Sequence, residues 1–261
     1  MKLIEAYYSI LNQIKSITND EIESRAETDL IFGSNYFKKY HGTALNVIDI
    51  FGKYSDLPIK NNIILKLEKI IEKRSKGVPI QYILDEAWFF GHKFHVYIDN
   101  KRKTLIPRNE TEMIVTKLIK DLKKTPNKFA LDIGTGSGCL LLSILKERQN
   151  FFGTGVDISK KALKVARFNA KLQHLHNRVK FYNSDIDKFF IGKYDLILSN
   201  PPYIKKFDLR YLDREVAIYE PSLALNGGCD GFSEITKVID RAPYLIKKNG
   251  KLILEIGCYQ R

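Results

Sequence analysis

Apolar positions recur every three or four residues through the first third of the chain. Leu3, Tyr7, Ile10, Ile14 and Ile17 define one helix face. Asp20 stands where a helix cap belongs and opens a second helix that ends at Gly33. Ile63, Leu67, Ile70 and Ile71 predict a third helix over 62–76, stopped by Gly77. The period then falls to two. Over 88–98 the alternation of Phe94, Val96 and Ile98 predicts a β-hairpin. From 129 onward, short apolar runs (129–133, 152–157, 179–182, 194–199 and 251–256) read as strands. Helical stretches separate them, one with Ala162, Val165, Ala166 and Asn169 on one face behind a Ser159 cap. Strands alternating with helices predict an α/β fold with a doubly wound sheet, preceded by a small helical domain.

Three glycines at alternate positions follow the first of these strands, in Asp132-Ile133-Gly134-Thr135-Gly136-Ser137-Gly138. Glycine lets a ligand approach the backbone, and the following helix, from Cys139, offers unpaired N–H groups at its start. Cys139 takes the place of the third glycine in the dinucleotide fingerprint, and no Gly-Lys-Ser/Thr ending marks a phosphate loop. Roughly twenty residues on, Asp157 ends the next strand, where a carboxylate accepts from both ribose hydroxyls. Read alone, Asp157 also suits a cap for the helix after it. Asp185 follows the 179–182 strand at the place of an adenine contact, and read alone it suits a turn.

Asn200-Pro201-Pro202-Tyr203 follows the strand at 194–199. Two prolines remove two N–H donors and keep every carbonyl, so the chain becomes a stiff, acceptor-rich rim. Asn200 adds a side-chain carbonyl and Tyr203 a flat ring. Such a rim suits a planar –NH2 group, although Asn-Pro and Pro-Pro also punctuate ordinary turns.

In this order, Gly134–Gly138, Asp157, Asp185 and Asn200–Tyr203 resemble the Rossmann-like, S-adenosylmethionine-dependent (class I) methyltransferases that act on amino groups. The flanks narrow the resemblance. Leu105-Ile106-Pro107-Arg108-Asn109-Glu110-Thr111-Glu112 is similar to the L-I-P-R-P-E-T-E segment of the PrmC (HemK) family. Gly77-Val78-Pro79-Ile80-Gln81-Tyr82-Ile83, Glu215-Val216, Glu220-Pro221, Ala224-Leu225, Gly227-Gly228-Cys229-Asp230-Gly231 and Leu254-Glu255-Ile256-Gly257 match further segments of it. The resemblance implies methylation of the side-chain nitrogen (N5) of the glutamine in the Gly-Gly-Gln motif of peptide chain release factors, in support of translation termination. It implies S-adenosyl-L-methionine as cofactor, held by Gly134, Thr135, Gly136, Ser137, Gly138, Asp157, Asp185, Ile186 and Asn200. It places the catalytic and substrate-binding rim at Asn200, Pro201, Pro202 and Tyr203, with no metal. It divides the chain into a helical substrate-recognition domain (1–85), a β-hairpin linker (86–106) and a Rossmann-like methyltransferase domain (107–261).

Asn109 replaces the family's usual proline, and Ile186 stands where an aromatic is frequent. The family continues past L-E-I-G with a helix and two strands, whereas this chain stops at Arg261. The expectation is a truncated sheet whose fifth strand is an exposed edge, an aggregation hazard that self-association would cover. Two other readings stay open: an amino methyltransferase acting on adenine or guanine in nucleic acid, and a decayed protein that binds cofactor or release factor without turnover.

Composition changes this picture little. With 44% hydrophobic and 28% charged residues the chain is globular. No apolar run approaches the roughly 20 residues of a membrane span, and Glu5 and Lys15 break any secretory pattern. Three scattered cysteines suit neither a disulfide framework nor a zinc site, and a cytoplasmic protein is expected. The net charge of +13 is spread without a dense Lys/Arg cluster, amid abundant Lys, Ile, Asn and Tyr. It reads as coding bias, and direct nucleic-acid binding is not expected. His92 and His95 are assigned no role.

Overall fold

The computed structural model describes residues 1–42, 45–98, 102–121 and 128–260. Residues 99–101 of the expected linker, the Ile98 side chain in the expected alternation, and Arg261 lie outside the described part. The chain forms two compact units, Met1–Glu86 and Ala87–Arg261.

The first unit is helical: α1 (Leu3–Thr18), α2 (Glu21–Gly33), α3 (Asn35–His41), α4 (Val47–Phe51), α5 (Asn61–Ser75) and α6 (Ile80–Leu84). Asp20 caps α2 by accepting the Glu23 N–H at 2.8 Å, as its position in the sequence predicts. The apolar stripes of α1 and α5 meet in one core that includes Leu3, Tyr7, Ile14, Phe32, Leu67 and Ile70. Arg74 and Glu27 are also buried and pair at 2.9 Å, which the desolvation cost of burying either charge alone requires.

The second unit begins with two short antiparallel pairs, not one hairpin. Strand β1 (Ala87–Phe89) pairs with β2 (His92–Phe94), and β3 (Tyr97–Ile98) with β4 (Arg102–Lys103). Phe90 and Gly91 both take positive φ, at 49° and 71°, and close the first pair as a two-residue turn. The alternation in the sequence runs on past Phe94, but the chain leaves the first ladder there. Val96 is buried between the pairs, and its carbonyl accepts the Thr104 N–H.

After α7 (Glu112–Asp121) the parallel sheet is assembled. Its strands are β5 (Lys128–Ile133), β6 (Phe151–Asp157), β7 (Val179–Asn183), β8 (Tyr194–Ser199) and β9 (Ile246–Leu254), in the order β7-β6-β5-β8-β9. The connecting helices are α8 (Cys139–Glu147), α9 (Lys160–Leu172), α10 (Arg214–Tyr219) and α11 (Ser233–Leu245). Alternate strand residues serve opposite faces. Ala130, Leu196 and Leu198 pack with α7, α8 and α9, while Leu131, Ile133 and Ile197 pack with Val238, Ala242 and Leu245 of α11. This is the class I, Rossmann-like methyltransferase fold.

Strand β9 begins before the expected 251–256 run. Lys247 and Lys248 mask its start, and Asn249 in the left-handed region (φ 64°) breaks the ladder before Leu196↔Lys251 resumes it. Among the described residues, β9 pairs with β8 alone.

One helix-face residue departs from the apolar pattern it was read with. Asn169 on α9 is fully buried. Its Oδ1 accepts the His95 N–H at 2.8 Å, and its Nδ2 donates to the carbonyls of His95 and Ser137, each at 2.9 Å. It therefore ties the segment after β2 to the glycine turn. Asn169→Leu keeps the volume but strands these three backbone groups. The variant is expected to lose about 3 kcal/mol of stability, measured by urea unfolding, and an unchanged midpoint would deny the tie any energetic role.

Candidate active site

The parallel register brings the carboxyl ends of the strands into line. Ile133 lies opposite Val156 and Ser199, and Ser199 lies opposite Leu254. The residues just beyond these ends border a cleft of about 330 Å³, above the point where the strand order reverses between β5 and β8.

Seven residues singled out from the sequence line this cleft: Gly134, Gly136, Asp157, Asp185, Ile186, Asn200 and Pro202. Thr135 and Ser137 line a smaller recess of about 50 Å³ that shares Gly134, Gly136 and Asn200 with it. Gly138 lies outside both. It opens α8 at φ 80°, and a Cβ there would press on Leu142 at 3.1 Å and Ala166 at 3.4 Å. Pro201 is buried and Tyr203 half-buried, and neither lines the cleft.

The glycine turn is braced from both sides. Gly134 and Thr135 donate their N–H groups to the Val156 carbonyl at 2.8 and 3.0 Å. The Asp157 carboxylate accepts the Gly136 N–H at 2.9 Å and the Ser159 N–H at 2.8 Å. Asp157 thus braces the residue before α9, whose cap is Ser159, and also lines the cleft. Gly134 and Gly136 hold φ of 73° and 56°, and a Cβ on Gly134 would project into open space. The floor is a cradle with room for a ligand against its backbone. Asp185 caps a short 3₁₀ turn through the Ile186 N–H at 2.7 Å while facing the cleft.

Sequence reading assigned no site role to several other lining residues. Thr104 and Leu105 form one wall, and Pro221, Leu223 and Ala224 another. Glu220 joins the two: it accepts from Arg108 at 2.7 Å and from the Ile106 N–H at 3.4 Å. Glu234 and Lys237 of α11 pair at 2.8 Å at the far margin. The Glu234 carboxylate raises the Lys237 pKa, with Asp185 and Asp187 adding to it. The available signal was the set of matched flanking segments, of which Leu105, Pro221 and Ala224 line this cleft. Glu234 and Lys237 had no such signal.

The rim at 200–203 is held from below. Asn200 Nδ2 donates to Thr111 Oγ1 at 3.0 Å, Thr111 donates to Glu255 Oε2 at 2.6 Å, and the Tyr203 hydroxyl donates to Glu255 Oε1 at 3.4 Å. Burial raises the pKa of Glu255 above the usual carboxylate range, and burial followed by the Glu255 charge raises that of Tyr203. A Cβ at Gly227 would lie 2.8 Å from the Pro202 carbonyl oxygen and from Tyr203 Cα, so only glycine lets that loop lie against the rim. His92 and His95 stay away from this cleft. His92 Nε2 is 3.7 Å from Glu147, and the His95 ring meets Phe168 edge-on.

Fold and cleft together define a methyltransferase. The family profile of the methyltransferase small domain matches residues 110–218. The release factor glutamine methyltransferase of Nitratidesulfovibrio vulgaris is 34% identical over 84% of this chain and 73% of its own length. That of Bacillus subtilis is 35% identical over 78% and 71%. A solved ribosomal protein L11 methylase from Lactobacillus delbrueckii subsp. bulgaricus overlays 59% of this chain and 64% of its own, at 19% identity and a TM-score of 0.43. The chain belongs to the release factor glutamine methyltransferase family.

Asp132 lies beneath the glycine turn, 2% exposed, and accepts from Thr135 Oγ1 at 2.6 Å. Burial, with the nearby Asp157 charge adding to it, pushes its pKa up to about 7 from 3.8. Between those values the folded chain holds a proton that the unfolded chain has released. Stability therefore falls as pH rises through the window, by about 1.4 kcal/mol per pH unit from this group. Asp132→Asn removes the slope. Its melting temperature is expected to gain on the wild type between pH 5 and pH 8 in calorimetric scans, and a constant difference would place the proton elsewhere.

Proposed function

We infer that this chain transfers a methyl group from S-adenosyl-L-methionine to the side-chain amide nitrogen (N5) of the glutamine in the Gly-Gly-Gln motif of peptide chain release factors, and so serves translation termination in the cytoplasm. One observation carries the inference: the glycine turn, Asp157, Asp185, Asn200 and Pro202 meet in one cleft, in a chain of this family.

The cleft suits the cofactor. Gly134 and Gly136 leave their backbone open to it, with Thr135, Ser137 and Gly138 shaping the turn. Asp157 keeps acceptor capacity for ribose hydroxyls, and Asp185 for an adenine amino group. Ile186 offers an aliphatic face. The cofactor would supply an electrophilic methyl group on a sulfonium, whose sulfur keeps the electron pair of the broken S–CH3 bond to give S-adenosyl-L-homocysteine.

The chain's own residues must make an amide nitrogen reactive, since its lone pair is delocalised into the carbonyl. Asn200 Oδ1 and the Pro201 carbonyl are assigned to accept the two amide N–H bonds. That orients the nitrogen and stabilises positive charge developing on it. Pro202 walls the site, and Tyr203, tethered through its hydroxyl to Glu255, offers its ring to the amide plane. The methylated nitrogen is strongly acidic and loses its proton to water without a dedicated base. The helical unit Met1–Glu86 is assigned to recognition of the release factor.

The test is methyl transfer from labelled cofactor to a release factor, beside a Gly-Gly-Gln→Gly-Gly-Ala factor and naked nucleic acid. Label is expected on the intact factor alone. Label on nucleic acid would overturn the substrate, and cofactor binding without transfer anywhere would overturn the activity. Asn200→Ala is expected to lower kcat by about 10²–10³-fold with cofactor Kd nearly unchanged. Asp157→Ala is expected to raise cofactor Kd instead, read by calorimetry. An equal loss of both quantities in each variant would deny them separate roles.

A further inference from the structure

An asparagine side chain has two ends of similar shape and opposite chemistry: a carbonyl that accepts and an NH2 that donates. The reading above needs the accepting end of Asn200 to face the substrate, and the following inference rests on that reading. Nothing in the Asn-Pro-Pro-Tyr motif itself selects that orientation.

The groups behind the rim select it. A carboxylate only accepts, so the polarity of the chain is set from its far end at Glu255. The single hydroxyl hydrogen of Thr111 goes to Glu255 Oε2, at 2.6 Å. Thr111 Oγ1 is then left with lone pairs alone toward Asn200, and takes an N–H from Nδ2 at 3.0 Å. A flipped amide would set its carbonyl against those lone pairs. Thr111 is 4% exposed, so losing that partner carries a desolvation cost. Among the described residues, Asn200 Oδ1 has no hydrogen bond, and Asn200 lines the cleft.

The fold delivers both partners by separate routes. Glu255 arrives beside Asn200 because Ser199 is in register with Leu254, and the Glu255 N–H continues the ladder to the Ser199 carbonyl at 3.0 Å. Thr111 arrives from the turn that opens α7.

We propose that Thr111 and Glu255 are positioning residues for methyl transfer, which together lock the Asn200 amide with its NH2 inward and its carbonyl toward the substrate nitrogen. Neither touches the reacting atoms. Their effect passes through Asn200.

Thr111→Val keeps the shape and removes the hydroxyl, whereas Thr111→Ser keeps the hydroxyl. In Thr111→Val, kcat is expected to fall by about tenfold or more, the loss of one oriented hydrogen bond. Cofactor Kd and the KM for release factor should stay close to wild type, and Thr111→Ser should recover most of the rate. A second readout needs no turnover. The side-chain ¹⁵NH2 pair of Asn200, assigned by its absence in Asn200→Ala, is expected to exchange with solvent about tenfold faster in Thr111→Val than in wild type or Thr111→Ser. Unchanged exchange, unchanged kcat, or a parallel loss of cofactor binding in Thr111→Val would overturn the proposal. A wild-type protein that leaves release factor unlabelled would overturn the substrate assignment instead, and the exchange measurement would still decide the lock.

Discussion

Every feature of the cleft depends on the alignment of parallel strand ends. The register that sets Ile133 beside Val156 and Ser199, and Ser199 beside Leu254, puts Gly134, Asp157, Asn200 and Glu255 at one edge of the sheet. These residues come from four strands separated by long stretches of sequence. Because side chains alternate faces with a period of two, a slip of one residue in any ladder would exchange the residues of that strand's two packed faces. The two buried faces, with α7, α8 and α9 on one and α11 on the other, hold each strand to its register. The site inherits that precision.

Three acids near the strand ends are buried or half-buried. Burial lifts Asp132, Asp157 and Glu255 above the ordinary carboxylate range. The Asp157 charge adds to the shift at Asp132 beneath the glycine turn. The carboxylates also do fixed work: Asp157 braces the glycine turn, and Glu255 sets the polarity of the hydrogen bonds behind the rim.

Polar residues in buried places hold the loops that the sheet does not. Asn169 ties the segment after β2 to the glycine turn, and Glu220 joins the two walls of the cleft through Arg108 and the Ile106 N–H. Gly227 lets a third loop press against the rim where any side chain would collide with it. Loops carry most of the lining, and each is fixed by a small number of such contacts rather than by apolar burial.

The sequence by itself determined α1, α2, α5 and α9, the parallel strands and the motif positions. Helical stripes, the Asp20 and Ser159 caps, the apolar strands and the glycine turn are local patterns, set by a residue's immediate neighbours. The order of the glycine turn, Asp157, Asp185 and Asn200-Pro201-Pro202-Tyr203 was legible for the same reason. The second short strand pair and the early start of β9 were not, because a continued alternation hid one and lysines masked the other. Only the tertiary structure decided what stands behind the motifs. Asn169 read as one more position on a helix face, and Thr111 and Glu255 as letters in flanking segments without a task. Their roles arise from partners roughly 30 to 150 residues away, brought close by strand order and register, and no local pattern encodes a hydrogen bond across that separation.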